Sequence, residues 1–400
     1  MNILFLSPEI PYPLIGGHHL RTYNIIRILA ERHQLYLIAF AQHAREMQYA
    51  EEMKKYCQEV SLFPVAKTGF HLPFIRLALC NLCSAEPLIA QRYFIKSVAE
   101  LIRTMIKQKN IHLLHLDMLA LGLYRTCAEG IPVVLTDHNV EFLRLQRWAE
   151  VESNPCLKLF LRLQLAKLKR FEIDQCSSVD HCTFVSHSDL VVLGNLSESG
   201  HYSVIPNGVD TSYFYPLAIP ADAGKLIWVG GMRGPHNADA VDYFLEAIWP
   251  RIEKAVPETT VDFIGEAPTS RLAKAAGQDP RLKVLGLVAD IREAVQRATV
   301  FLAPIRSGSG TKIKVLNAMA QAKAVVATPM AVEGIEVTDG NHLFIAIDPD
   351  EFAQRVIQLL TDRPLAEQMG LNARKLIETK YSWPVIAREV HRLYDSYANS

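Results

Sequence analysis

This 400-residue chain has no excess charge of either sign: 42 Lys+Arg stand against 42 Asp+Glu, and only 21% of the residues are charged. That balance argues against a general nucleic-acid binder, because neutralising phosphates requires a basic surplus or stripe. Cysteine is scarce too. Its seven copies, at 57, 80, 83, 127, 156, 176 and 182, form no framework of the secreted kind. The pair Cys80 and Cys83 has no second pair at zinc-ribbon spacing, so no metal site is expected and a reducing cytoplasm fits. No run of ~18 apolar residues occurs, and the apolar start of the chain reaches Pro8 too soon for a signal core or a membrane span. The chain is expected to be soluble or peripheral, with residues 3–6 as a buried first strand. Repeats of roughly 20–50 residues and low-complexity segments are absent as well.

Half of the residues are hydrophobic and mean hydropathy is +0.09, enough apolar material for sizeable cores, and the length suggests two domains. Strand-like runs at 3–6, 35–40, 60–63, 111–116, 133–135, 182–185 and 203–205 alternate with helical stretches at 20–32, 47–58, 98–107 and 142–176, the last interrupted near Asn154 and Pro155. After Pro206, Asn207 and Gly208 the pattern restarts, with strands expected at 225–229, 260–264, 283–285, 300–302, 324–327 and 343–346. The reading is α/β: two doubly wound, Rossmann-like domains, 1–206 and 207–380, facing a central cleft, with the helical segment 381–400 crossing back to the first. A ligand is expected between the lobes, at the carboxyl ends of the strands.

The strongest local signal runs from Pro304 to Ala320. A strand empties into Ser307, Gly308, Ser309, Gly310 and Thr311, and a helix follows, so free N–H groups and the positive dipole end suit a diphosphate. Arg306, Lys312 and Lys314 add positive charge. The spacing matches neither the Walker pattern nor GxGxxG, which sets aside a P-loop NTPase and an NAD enzyme. A Gly-rich turn with solvated lysines is the plain alternative. In the first lobe, Gly16 and Gly17 stand before a helix start, where a backbone can come close to a phosphate or sugar. His138 follows the strand 133–135, where it could donate to a sugar hydroxyl or phosphate, or serve a structural role. Asp348, Pro349 and Asp350 read as a helix N-cap rather than as a metal-binding pair. Lys158, Arg162 and Lys169 fall within ~40° of one another on a helical wheel, a stripe that could rest on an anionic membrane or snorkel from a packed helix.

These features together resemble the family-4 glycosyltransferases, retaining enzymes of the GT-B fold, and among them the sugar transferases of bacterial exopolysaccharide clusters. The resemblance is carried by Gly16-Gly17, Thr136 to Glu141, Val185 to Ser188, Ile205 to Asp210, Trp228 to Met232 with His236 and Asn237, Phe263 to Gly265, Val284 to Val288, and Ser307 to Ala320. It implies a hexosyltransferase whose nucleotide diphosphate sugar, UDP-glucose as first choice, binds chiefly to the second lobe. The implied acceptor is a saccharide or lipid-linked saccharide at the inner membrane face, and no metal is required. Gly16 and Gly17 should approach the diphosphate and acceptor, and His138 the donor sugar. The Gly265 and Val288 regions should border the base and Gly231 the donor, while Ser307, Gly308, Ser309, Gly310, Thr311 and Lys314 should hold phosphates and sugar, with Lys314 or Arg306 stabilising the departing diphosphate. Two family glutamates are replaced, one by Asn317, facing the ribose, and one by Ser309. A nucleotide-sugar-binding protein without turnover is the alternative.

Overall fold

A computed structural model describes residues 1–14, 16–65, 67, 72–197, 199–308 and 310–398. The chain divides into two compact units, Met1–Pro206 together with the end of the chain from Ala387, and Asn207–Ile386. The last helix, Trp383–Ala398, therefore starts in the second unit and finishes in the first.

In the first unit, β1 (Asn2–Ser7), β2 (Gln34–Ala41), β3 (Cys57–Pro64), β4 (Leu113–Leu116), β5 (Val133–Asp137), β6 (His181–Phe184) and β7 (Tyr202–Val204) form one sheet in the order β3-β2-β1-β4-β5-β6-β7. All neighbours are parallel. The central strands β4 and β5 are buried along their whole length, as expected where helices cover both faces, so the sequence shows runs of Leu, Val and Ile rather than alternation. The order reverses between β1 and β4, which opens a crevice at their carboxyl ends. The final helix is tied into this unit at Tyr394, whose hydroxyl shares a buried 2.6 Å hydrogen bond with His115 Nδ1.

The second unit holds β8 (Lys225–Val229), β9 (Thr260–Ile264), β10 (Leu282–Gly286), β11 (Val300–Ala303), β12 (Ala324–Ala327) and β13 (Phe344–Ile345), all parallel, in the order β10-β9-β8-β11-β12-β13. Here the order reverses between β8 and β11. The core is filled by side chains such as Trp228, Phe244, Phe263, Phe301 and Phe352.

Several expectations are corrected. The first helix begins at Gly17 rather than at 20, so His18 and His19 lie in its first turn. Residues 47–58 are not one helix: a 3-10 turn Ala44–Tyr49 and the short helix Ala50–Met53 give way to β3, which starts at Cys57 and pairs with β2. The break near Asn154 is present, because the Asn154 side chain accepts from the N–H groups of Cys156 and Leu157 and starts the helix Pro155–Ser178. Asp348 likewise caps the helix Pro349–Thr361 by accepting from Glu351 N–H at 2.8 Å. Cys80 and Cys83 are free and exposed.

Candidate functional site

Both switch points carry polar residues that the fold brings together from distant stretches of sequence. In the second unit, β8 runs directly into Gly230 and Gly231, and β9 into Gly265. Gly265 holds φ 148°, and a side chain there would collide with the Gly230 carbonyl, so these two backbones cross in contact. Gly230, at φ 156°, is crowded in turn: a Cβ would stand 2.5 Å from Lys314 Nζ.

Lys314 comes from the helix Ile313–Ala320, which starts two residues after Thr311. Lys312 is thus not a helical residue but the N-cap, and its Nζ folds back onto the Gly310 carbonyl at 2.6 Å. Among the described residues no side chain caps this helix, which leaves its first amides available to an anion. Lys314 Nζ turns inward, donating to Asn237 Oδ1 at 2.7 Å and sitting 4.2 Å from the centre of the Trp228 ring. Asn237 is fixed from its other end by donating to the Gly231 carbonyl at 2.7 Å. Burial pushes the Lys314 ammonium down to about 7, and the Lys312 charge adds to the effect. One turn further on, Asn317 Oδ1 is buried with no hydrogen-bond partner among the described residues.

Arg306 is more committed than the sequence suggested. It pairs with Asp239 through two N–H···O contacts and lies over the Tyr243 ring at 4.2 Å, so its charge is already matched. Ser307 Oγ shares a 2.9 Å hydrogen bond with His236 Nδ1, and Gly308, at φ 113°, lies against the same imidazole. Val288 sits two residues past β10, half-buried against the core. Gly310 has φ 70° and Thr311 is half-buried just before the helix. Ser309 lies outside the described residues.

In the first unit the switch point gathers His18, Asp117 and His138. Asp117 follows β4 directly and is buried. Its Oδ2 accepts from the Thr22 hydroxyl at 2.5 Å, and its Oδ1 lies 3.0 Å from His138 Nε2. Burial opposes the Asp117 charge, but His138 and His115 hold the carboxyl well below the usual range. An ionised carboxylate only accepts, so His138 Nε2 carries the proton that it shares with Asp117. The His18 ring packs edge-on to His138 with centroids 4.8 Å apart; burial pushes its imidazole down to about 4, and neither nitrogen has a partner among the described residues. Ligand atoms of His18, Asp117 and His138 lie within 4.8 Å of one another, close enough in principle for a cation, although the His138–Asp117 hydrogen bond already accounts for two of them. Gly16 precedes the helix in extended conformation, with open space where its Cβ would stand, and Gly17 is exposed.

Sequence reasoning missed Asp117 as a site residue, and it held Trp228 and Asn237 only as part of the family resemblance, with no role at the site. The position of Asp117 immediately after a strand was the available signal. The basic stripe is partly engaged: Lys158 Nζ donates to the carbonyls of Glu150 and Glu152, Lys169 lies 5.2 Å from the Phe142 ring centre, and Arg162 is exposed.

Residues 15–213 match the model described as Glycosyltransferase Family 4, and residues 223–362 match Glycosyl transferases group 1. The phosphatidyl-myo-inositol mannosyltransferase of Mycobacterium tuberculosis is 28% identical over 231 residues, 54% of this chain, and the chain spans about 60% of the length of that relative. An uncharacterised 44.6 kDa protein in the cps region of Klebsiella pneumoniae is 22% identical over 396 residues, covering 95% of this chain and 96% of its own length. Among solved structures, sucrose-phosphate synthase from Thermosynechococcus elongatus superposes with a TM-score of 0.71 at 15% identity over 100% of both chains. Anabaena HepE in complex with UDP does so with a TM-score of 0.68 at 15% identity, over 99% of this chain and 100% of that one. With two parallel Rossmann-like sheets, glycine crossings and a lysine-bearing helix at the switch point of the second, and both family models matched in order, the chain belongs to the family-4 glycosyltransferases of the GT-B fold.

Proposed function

We propose that the chain is a retaining glycosyltransferase that moves a sugar from a nucleotide diphosphate sugar, UDP-glucose first among candidates, to a saccharide or lipid-linked saccharide in polysaccharide biosynthesis. The observation that carries this reading is the pairing, on one helix, of an inward-turned Lys314 with the unsatisfied Asn317 Oδ1 one turn on. The first suits a diphosphate and the second a ribose hydroxyl. Support for the donor comes from Anabaena HepE, solved with UDP-glucose, and support for the setting comes from the Klebsiella cps-region relative.

The donor's C1–O bond breaks and leaves negative charge on the diphosphate. Uncapped amides at the start of Ile313–Ala320, the helix dipole and Lys314 are preorganised to meet that charge. Arg306, already held by Asp239, is secondary to Lys314. The acceptor oxygen bonds to C1 on the face the diphosphate leaves, and its proton passes to the departing phosphate oxygen, so this route uses no carboxylate nucleophile. No metal takes part in the steps assigned here. In the first unit, His138 turns its Nδ1 edge to a sugar hydroxyl while its Nε2–H donates to Asp117, which orients the ring.

A peripheral contact with anionic lipid belongs to the same reading. No described helix is long and apolar enough to cross a membrane. The helix Pro155–Ser178 nevertheless exposes Leu159 (61%) and Leu163 (49%) beside Arg162, an arrangement suited to a lipid surface. The test is to supply radiolabelled UDP-glucose with lipid-linked saccharides and to read UDP release and the anomeric configuration of the product. Release of UDP with an inverted product refutes retention; no release with any nucleotide sugar and acceptor refutes transfer.

A further inference from the structure

Lys314 sits where an ammonium group has little to hold it. Among the described residues its Nζ has one hydrogen-bond partner, the neutral Asn237 Oδ1, and its other neighbours are the Trp228 ring and the Gly230 backbone. Among the described residues, the charged groups of the neighbouring elements are committed to one another or add positive charge. Asp239, on the helix after β8, is held by Arg306 from the segment after β11. Glu266, after β9, pairs with Arg233 at 3.3 Å. His236 is engaged with Ser307, and Lys312, at the head of the same helix, repels. The Trp228 face favours a cation, but it is a weaker partner than a carboxylate. A neutral amine suits this environment better than an ammonium, since it still donates to Asn237 and needs no counter-ion.

We propose that above neutral pH Lys314 rests as a neutral amine and takes up one proton from solvent when the donor's diphosphate arrives, so that donor binding there is proton-linked. This rests on the donor-site reading above and adds to it a specificity device. The Nζ lone pair takes the proton, the buffer acid loses it, and the resulting ammonium faces the dianion. Burial already brings the free group down to about 7, and a diphosphate beside it raises it again. Donor affinity is therefore level below about pH 7 and falls by about tenfold per pH unit above it. A bare nucleoside, which brings no charge, draws no proton and shows no such slope.

The experiment is a calorimetric titration with UDP-glucose at pH 8, in two buffers of different protonation enthalpy. The diphosphate diester exchanges no proton of its own in that range. An uptake of about 0.9 proton per donor bound is expected one unit above the free group's value. K314R, with a guanidinium that stays charged, should bind with no uptake. Binding without uptake in the native chain overturns the proposal and leaves the donor site standing, and uptake that survives in K314R overturns it by assigning the proton elsewhere. Failure of UDP-, GDP- and dTDP-sugars alike to bind overturns both. Independently of any variant or donor, the 13C-labelled Lys314 Cε resonance of the free chain should titrate near pH 7; a midpoint at about 10, the ordinary lysine value, refutes the proposal.

Discussion

Replacing Asn317 by Leu separates the cost of an unpaired acceptor from its use. Asn317 Oδ1 is buried without a partner among the described residues, and such an atom costs ~1–3 kcal/mol because its water is lost and nothing replaces it. Leucine has the same branched heavy-atom skeleton and no polar atom, so the ligand-free Asn317→Leu chain should be more stable to urea by ~1 kcal/mol or more. The same change should weaken UDP binding. A ribose hydroxyl donating to Oδ1 relieves the cost and forms a bond, together ~1–3 kcal/mol, or about 5- to 150-fold in affinity. Asn317→Glu tests the site from the other direction: a charged acceptor makes bonds of ~1.5–3 kcal/mol, which should tighten UDP roughly tenfold, less whatever repulsion from the diphosphate Lys314 fails to offset. The assay is calorimetric titration of UDP, 2′-deoxy-UDP and 3′-deoxy-UDP against all three chains. If the Leu variant discriminates ribose from both deoxyriboses as well as the native chain does, Asn317 does not face the ribose and the placement of the nucleoside is wrong.

Gly265→Ala should destabilise the chain by more than ~1 kcal/mol, since a Cβ meets the Gly230 carbonyl and φ 148° strains any L residue; unfolding midpoints equal to the native protein's would contradict this. Buried side by side, the Asp137 and Glu172 carboxyls are both raised, Glu172 to about 7, so the folded chain holds protons that the unfolded chain has lost. Stability should therefore fall as pH rises from the usual carboxylate range to about 7, and Asp137→Asn should flatten that slope; parallel pH–stability curves for the two proteins would refute the pairing. Reversing Lys158, Arg162 and Lys169 to Glu removes three charges worth ~1 kcal/mol each near an anionic surface, so co-sedimentation with phosphatidylserine vesicles at low salt should be lost. Unchanged sedimentation would return the helix Pro155–Ser178 to a purely structural role.

The sheets were legible because parallel strands buried on both faces appear as short apolar runs, and β1, β8 and β11 stand close to where those runs place them. The end of the stretch 47–58 was misread for a physical reason: from Cys57 on, the helical spacing of its apolar residues is weaker than the pairing of β3 with β2, a tertiary contact that no local pattern displays. At the site, the Gly-rich run and the lysines were visible, but their partners were not. Asn237 is 77 residues from Lys314, and Asp117 is 21 from His138, so the bonds that orient both basic groups exist only once the strand order reverses at each switch point. Arg306 looked free for the same reason, its partner Asp239 lying 67 residues away.

Calorimetric titration of a panel of nucleotide diphosphate sugars, with the native chain and with Lys314→Ala, tests the central claim most directly. The account predicts that a nucleotide diphosphate sugar binds the native chain one to one, and that the variant loses affinity for it far more than for the bare nucleoside. Equal losses for sugar nucleotide and nucleoside, or no binding of any donor to the native chain, would contradict it.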